Sequence, residues 1–305
     1  MWIREPGPVT EHVEMIGNMA FPCYVIHGRK VALVDAGVTA IAPLLEERFG
    51  PGHIELDTVL LTHSHYDHVG GLGVLRRLHP ALEVVASPSA RQALSREKVY
   101  RFILDMNRRD EKTYGFAHAF GGRVVPLDAS DLRVDRVLED GESLDLGDGV
   151  RVTGYASPGH TRCSMVFLVE PDRLLVGGES LGGYVSPDEI QAQSASSFRD
   201  YLDSLRRIGE LDFDAIALPH HGVLTGEDVE SYIAVAIRTA ESFRDEVIAR
   251  IDAGASQEKV AADLARKLRH GLSELQPMRA FQINLAAMIR VLLKEREQDG
   301  EPRPR

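Results

Sequence analysis

Cysteine is nearly absent from this chain: Cys23 and Cys163 are the only two in 305 residues. They stand 140 positions apart with no metal-site spacing, and nothing supports a disulfide between them. Both read as small buried apolar residues, and the chain is neither a disulfide scaffold nor a thiolate cluster. Positive charge is also in deficit, with 35 Lys and Arg against 46 Asp and Glu and a net charge of −11. Recognition of a nucleic-acid backbone calls for clustered Lys and Arg, so no nucleic-acid partner is expected. Long apolar runs are missing, and Met1-Trp2-Ile3-Arg4-Glu5-Pro6 lacks the apolar stretch of a signal peptide. A cytoplasmic protein without a membrane partner is therefore expected. What remains is ordinary for a soluble protein: 44% hydrophobic and 27% charged residues, in a chain long enough for one large domain or two.

The informative stretch is Thr62–Gly71, which reads T-H-S-H-Y-D-H-V-G-G. It places His63, His65, Asp67 and His68 within six positions. Buried for structural reasons alone, so many polar groups would be costly. As metal ligands they make sense, because imidazole nitrogen and carboxylate oxygen suit Zn²⁺ and related divalent ions. An apolar run, Thr58-Val59-Leu60-Leu61, precedes them as a strand, and a helical pattern follows from Leu72. The ligands thus fall on a loop at the carboxyl end of a strand, where open α/β sheets place their sites.

The H-x-H-x-D-H run followed by Gly-Gly resembles the signature of the metallo-β-lactamase-fold hydrolases. Three further segments extend the likeness in the family's order: Gly159-His160-Thr161, the acid Glu179 after Leu174–Gly178, and His220-His221-Gly222. The resemblance implies a four-layer α/β/β/α sandwich. It also implies two divalent ions, one held by His63, His65 and His160 and the other by Asp67, His68 and His221, with Glu179 bridging them. His221 is preferred over His220 because it directly precedes Gly222 as in the family pattern. His220 is then expected to support a ligand or contact substrate, as are Tyr66 and Arg162. A hydroxide shared by the two ions would attack a carbonyl or phosphorus, with Asp67 accepting or relaying a proton. Zinc is the first choice of metal, with iron or manganese as alternatives.

Two departures from the family pattern stand out. Glu179 occupies a position that is usually Asp, and its extra methylene changes the reach of the carboxylate. Thr161-Arg162-Cys163-Ser164 replaces the usual Thr-Pro-Gly-Ser, which brings Arg162 beside His160. An exposed, solvated Arg162 is the plainer reading of that change.

Elsewhere strands and helices alternate. Strands are expected at Cys23–His27, Val31–Asp35, Thr58–Thr62, Glu83–Ala86, Val134–Leu138, Arg151–Ala156, Met165–Val169, Arg173–Val176 and Ala215–Leu218. Helices are expected at Ala40–Phe49, Leu72–His79, much of 89–120, and Ser197–Ile208. The sandwich domain would span 1–224, with 89–120 a helical insertion. A C-terminal helical extension would follow over 225–297, its first helix capped by Thr225 and Asp228 and its third opened by Pro277. Its second helix would start after Ser256 and stop at Gly271. Residues 298–305 read as a disordered tail. The apolar faces of the extension would complete the core, form a homodimer interface, or cap the metal cleft.

Three functions fit. The first is hydrolysis of a small carbonyl substrate, a thioester or ester, as in the hydroxyacylglutathione hydrolase and thioesterase branch; a lactonase shares that chemistry. The second is a small-molecule phosphodiesterase, and the third a regulatory protein that retains the metal site.

Overall fold

In the computed structural model, the described residues are 1–114, 118, 121, 123–276 and 278–300. They form two seven-stranded sheets stacked face to face, with helices on both outer faces. The first sheet runs Gly7–Pro8, Val13–Gly17, Pro22–His27, Val31–Val34, Thr58–Leu60, Glu83–Ala86 and Arg136–Val137, in that spatial order. Its early strands pair antiparallel and its later ones parallel, joined by crossover helices. The second sheet is ordered Trp2–Ile3, Val223–Thr225, Ala215–Ala217, Leu174–Gly177, Met165–Glu170, Val150–Ala156 and Ser143–Gly147.

The layers follow from period-two alternation along the strands. In Met165–Glu170, Met165, Phe167 and Val169 point between the sheets, where they meet Met15, Tyr24, Ile26 and Val34. Val166 points the other way, into a second core with Leu175, Ile216 and Leu224. In the first sheet, Tyr24 and Ile26 face the sheet interface, whereas Cys23 and Val25 face the helices Ala42–Phe49 and Leu72–Leu78. Three buried clusters between four layers is the α/β/β/α sandwich expected from the sequence.

The C-terminal helices Glu227–Glu230, Tyr232–Asp252, Gln257–Leu268 and Met278–Gln298 belong to this sandwich. Their apolar stripes, including Phe243, Val247, Leu264, Phe281 and Ile289, share one cluster with helix Phe198–Ile208 and the second sheet. They thicken the fourth layer, and the stripes lie in its core.

Several boundaries differ from the expectation. Thr225 is the end of strand Val223–Thr225, paired with Ala215, so it caps no helix and the division at 224 falls inside a strand. Gly226 stands at the helix start instead. Ser256 does cap its helix, accepting from the Lys259 amide, but that helix ends at Leu268, and Gly271–Leu275 forms a 3₁₀ turn. Gln298 closes the last helix and Asp299 pairs with Arg199, so ordered structure continues into the stretch read as a tail. Residues 301–305, Pro277 and most of 115–120 lie outside the described residues. In the insertion, Pro88–Leu94 and Glu97–Tyr114 are helical.

Both cysteines are buried and free. No helix among the described residues is long and apolar enough to cross a membrane.

Candidate metal centre

The candidate ligands arrive on loops between strands. His63 and His65 follow strand Thr58–Leu60, and Asp67 and His68 sit on the helical turn Tyr66–Val69. Gly70 and Gly71 let that turn pack onto the end of strand Val31–Val34. A Cβ on Gly70 would lie 2.4 Å from the Thr39 nitrogen, and one on Gly71 2.4 Å from the Ala36 oxygen. His160 lies in the connection between Val150–Ala156 and Met165–Glu170. The Met165 amide donates to the Thr62 carbonyl at 2.8 Å, tying the two sheets together beside the site. Glu179 opens a 3₁₀ turn after Leu174–Gly177, and His220 lies between Ala215–Ala217 and Val223–Thr225.

These loops assemble two groups of side chains whose ligand atoms lie within 4.8 Å of one another: His63, His65 and His160, then Asp67, His68, Glu179 and His220. In the first, His160 Nε2 and His65 Nδ1 approach to 3.1 Å, while His160 Nδ1 is committed to the Gln193 carbonyl at 2.7 Å. In the second, Glu179 Oε1 lies 3.4 Å from both His68 Nε2 and His220 Nε2. Its other oxygen turns to the first group, 3.4 Å from His63 Nε2 and 3.8 Å from His160 Nε2. One carboxylate therefore faces both groups. His63 Nε2 and Glu179 Oε2 are buried with no hydrogen-bond partner among the described residues. Orphaned buried polar atoms are rare, and two of them facing each other fit a cation between them.

Most of the residues expected from the sequence are brought together, with one exchange. His220 joins Asp67, His68 and Glu179, and His221 does not. The strand before the pair ends at Ala217. Beyond it the chain turns, and His221 adopts φ 77°. Its backbone faces away, donating to the Met19 carbonyl and accepting from Trp2. Tyr66 is half-buried, and its hydroxyl bonds Asp110 on helix Glu97–Tyr114. Arg162 is exposed and makes no ion pair among the described residues. Cys163 is buried beside Ser64 and Thr161, outside both groups.

The supporting residues were not legible beforehand. Buried Asp35 accepts from the Thr62 amide at 2.8 Å and its hydroxyl at 2.7 Å, and contacts His68 Nδ1 at 2.7 Å. The Thr62 hydroxyl in turn lies 3.1 Å from His63 Nδ1. Asn107, also buried, accepts from the Thr39 amide and donates to the Ile103 and Tyr66 carbonyls, pinning the insertion helix to the metal loop.

The electrostatics suit ligation by His63 and His65. Burial, then His68, holds His63 well below its usual range, and burial with His160 brings His65 down to about 4. Both stay neutral, the form that binds metal. Burial also opposes charge on His68, but Asp35 and then Glu179 outweigh it and hold His68 well above its usual range. Burial pushes Glu179 up; His68 and His63 more than offset this and keep it a carboxylate.

Comparison with known proteins agrees with this fold. The profile of the Metallo-beta-lactamase superfamily matches residues 22–220. A metallo-β-lactamase fold-containing protein of Sulfurisphaera tokodaii is 28% identical over 263 residues, covering 82% of this chain and 90% of that protein. An atrochrysone carboxyl ACP thioesterase of Aspergillus fumigatus is 24% identical over 223 residues, covering 72% of this chain and 41% of the thioesterase. The crystal structure of a metallo-β-lactamase family protein from Thermus thermophilus aligns with a TM-score of 0.59 at 23% identity, covering 98% of this chain and 93% of the other.

Proposed function

The chain belongs to the metallo-β-lactamase superfamily, and from that premise we propose that it is a binuclear metal-dependent hydrolase of small acyl thioesters or esters. The observation that carries the reading is the placement of Glu179, with one carboxylate oxygen toward each histidine group. His63, His65 and His160 would hold one divalent ion, Asp67, His68 and His220 the other, and Glu179 both. Two such ions would supply Lewis acidity to polarise a substrate oxygen and would lower the pKa of a bound water.

The protein's own groups supply orientation and proton handling. Asp35 and the Gln193 carbonyl each occupy the Nδ1 of a histidine, leaving Nε2 of His68 and His160 to point inward. Such outer partners set tautomer and ring angle. Asp67 Oδ2 lies 4.0 Å from His68 Nε2 and 3.9 Å from His220 Nε2, at the edge of the site where it can take a proton from an attacking water. The longer reach of Glu179 lets a single carboxylate address both groups.

The thioester preference rests on the thioesterase relative and on the shortage of positive charge, which suits an uncharged acyl carbon better than a phosphodiester. The test is a panel of acyl thioesters, lactones and bis-p-nitrophenyl phosphate with metal-loaded protein. Thioester or ester turnover that disappears on chelation is the expected result. Phosphodiester turnover alone would overturn the substrate class.

A further inference from the structure

The single tryptophan of the chain, Trp2, is seated against the loop that carries His220. We propose that Trp2 is a positioning residue that keeps His220 aligned with Asp67, His68 and Glu179 by holding the carbonyl of its neighbour, His221. The inference rests on the reading above, in which His220 takes a metal ion.

Strain in the loop is the first observation. His221 has φ 77°, a left-handed conformation that is unfavourable for an L-residue with a Cβ. Such a residue persists only where its surroundings over-determine it. Here they do. The His221 amide donates to the Met19 carbonyl at 2.7 Å, and the Leu218 amide to the Gly222 carbonyl at 2.9 Å. The buried Tyr24 hydroxyl contacts the carbonyls of Leu218 and Gly222 at 2.6 and 3.2 Å. The His221 carbonyl accepts from the indole Nε1 of Trp2 at 2.5 Å.

Trp2 is itself held firmly enough to act as a clamp. Its strand pairs Trp2 with Leu224 and Ile3 with Val223. The Arg4 guanidinium lies 4.9 Å above its ring, and the Tyr184 ring meets it edge-on at 5.6 Å. Gly222 allows this close approach: with φ 87°, its absent Cβ would fall 2.2 Å from the Ile3 oxygen. On the other side, His220 Nδ1 contacts the Ala20 carbonyl at 2.5 Å. The ring of His220 is thus set by Ala20 and the backbone after it by Trp2. Without the indole N–H, the His221 peptide is free to relax toward the right-handed region, turning the backbone that carries the His220 ring.

Trp2→Phe keeps an aromatic ring and removes the donor, whereas Arg4→Ala keeps the donor and loosens the same strand. Zinc binding by the full chain is measured against a chromophoric chelator, with far-UV circular dichroism as the check on folding. Trp2→Phe is expected to weaken one of the two ions by about 10- to 100-fold, the usual effect of losing an outer partner. The other ion and the dichroism should be unchanged, and Arg4→Ala, which leaves the indole donor in place, should lose less affinity than Trp2→Phe. In wild type the indole emission should shift as the second ion fills, and His220→Ala should abolish that shift.

Wild-type affinity for both ions in Trp2→Phe would overturn the inference, as would an equal loss in Arg4→Ala. A collapsed dichroism spectrum in Trp2→Phe would make Trp2 a core residue and overturn it too. Wild-type protein that binds no zinc contradicts the binuclear reading itself, while two ions bound equally by wild type and Trp2→Phe contradict only the role of Trp2.

Discussion

His68 Nδ1 lies 2.7 Å from Asp35 Oδ2, and this contact turns the other ring nitrogen toward Glu179. Asp35 does the same for the metal loop as a whole, because it also holds the amide and hydroxyl of Thr62. Asp35→Asn tolerates the left-handed φ of 59° at this position but removes the charge. It is expected to weaken the ion at His68 by about 10- to 100-fold, measured by chelator competition. Unchanged affinity would show that the carboxylate does not orient the ring.

His220 and His221 should separate cleanly. His220→Ala is expected to lose one ion on elemental analysis, and His221→Ala to keep both. The reverse result would restore the assignment read from the sequence, in which the histidine beside Gly222 is the ligand.

That exchange shows where sequence reading stops. The apolar run that became Glu83–Ala86 and the alternating one that became Val150–Ala156 were legible within a residue or two, whereas Val13–Gly17, Ser143–Gly147 and Val223–Thr225 were not read as strands. The clustered His and Asp of 63–68 announce metal chemistry at short range. The choice between His220 and His221 depends on Met19, Ala20 and Trp2, about two hundred positions away, which no local pattern encodes. Asp35 looked like the polar end of a strand, and its contacts with Thr62 and His68 exist only once two strands are side by side. Strands as short as Trp2–Ile3 and Gly7–Pro8 offer no alternation to detect.

The proposed bridging role of Glu179 makes a graded series. Glu179→Gln keeps the size and loses the charge, and should lower both metal content and hydrolysis sharply, since a neutral amide is a poorer ligand. Glu179→Asp should be milder, because a carboxylate remains. Full metal content and turnover in the Gln variant would place Glu179 outside the site.

Two phenylalanines test whether the helical segments are core or surface. Phe281 is 5% exposed within the outer core cluster, and Phe102, on the insertion helix, is 57% exposed. Phe281→Ala should cost about 3–5 kcal/mol in denaturant unfolding, and Phe102→Ala within about 0.5 kcal/mol of nothing. Equal effects would mean that Phe102 is covered, as it would be in a homodimer.

Stability should depend on pH through Asp172, which belongs to neither metal group. Burial pushes its carboxyl up, but the Thr10 hydroxyl and the amide and ring of His12 outweigh this and hold it below its usual value. A carboxyl lowered in the fold contributes stability that is fully present above its unfolded pKa and is lost as pH falls through the folded one. Asp172→Asn should therefore destabilise by about 1–3 kcal/mol near neutral pH, and the gap should narrow below about pH 4. A gap of constant size down to acid would mean that the charge contributes nothing.

The central claim is a two-ion centre with Glu179 between the ions, and anomalous diffraction from a zinc-loaded crystal tests it most directly. The account requires two peaks about 3.5–4 Å apart, one against His63, His65 and His160, the other against Asp67, His68 and His220, with the Glu179 carboxylate reaching both. A single peak, or a second one bound by His221 with Glu179 turned away, would contradict it.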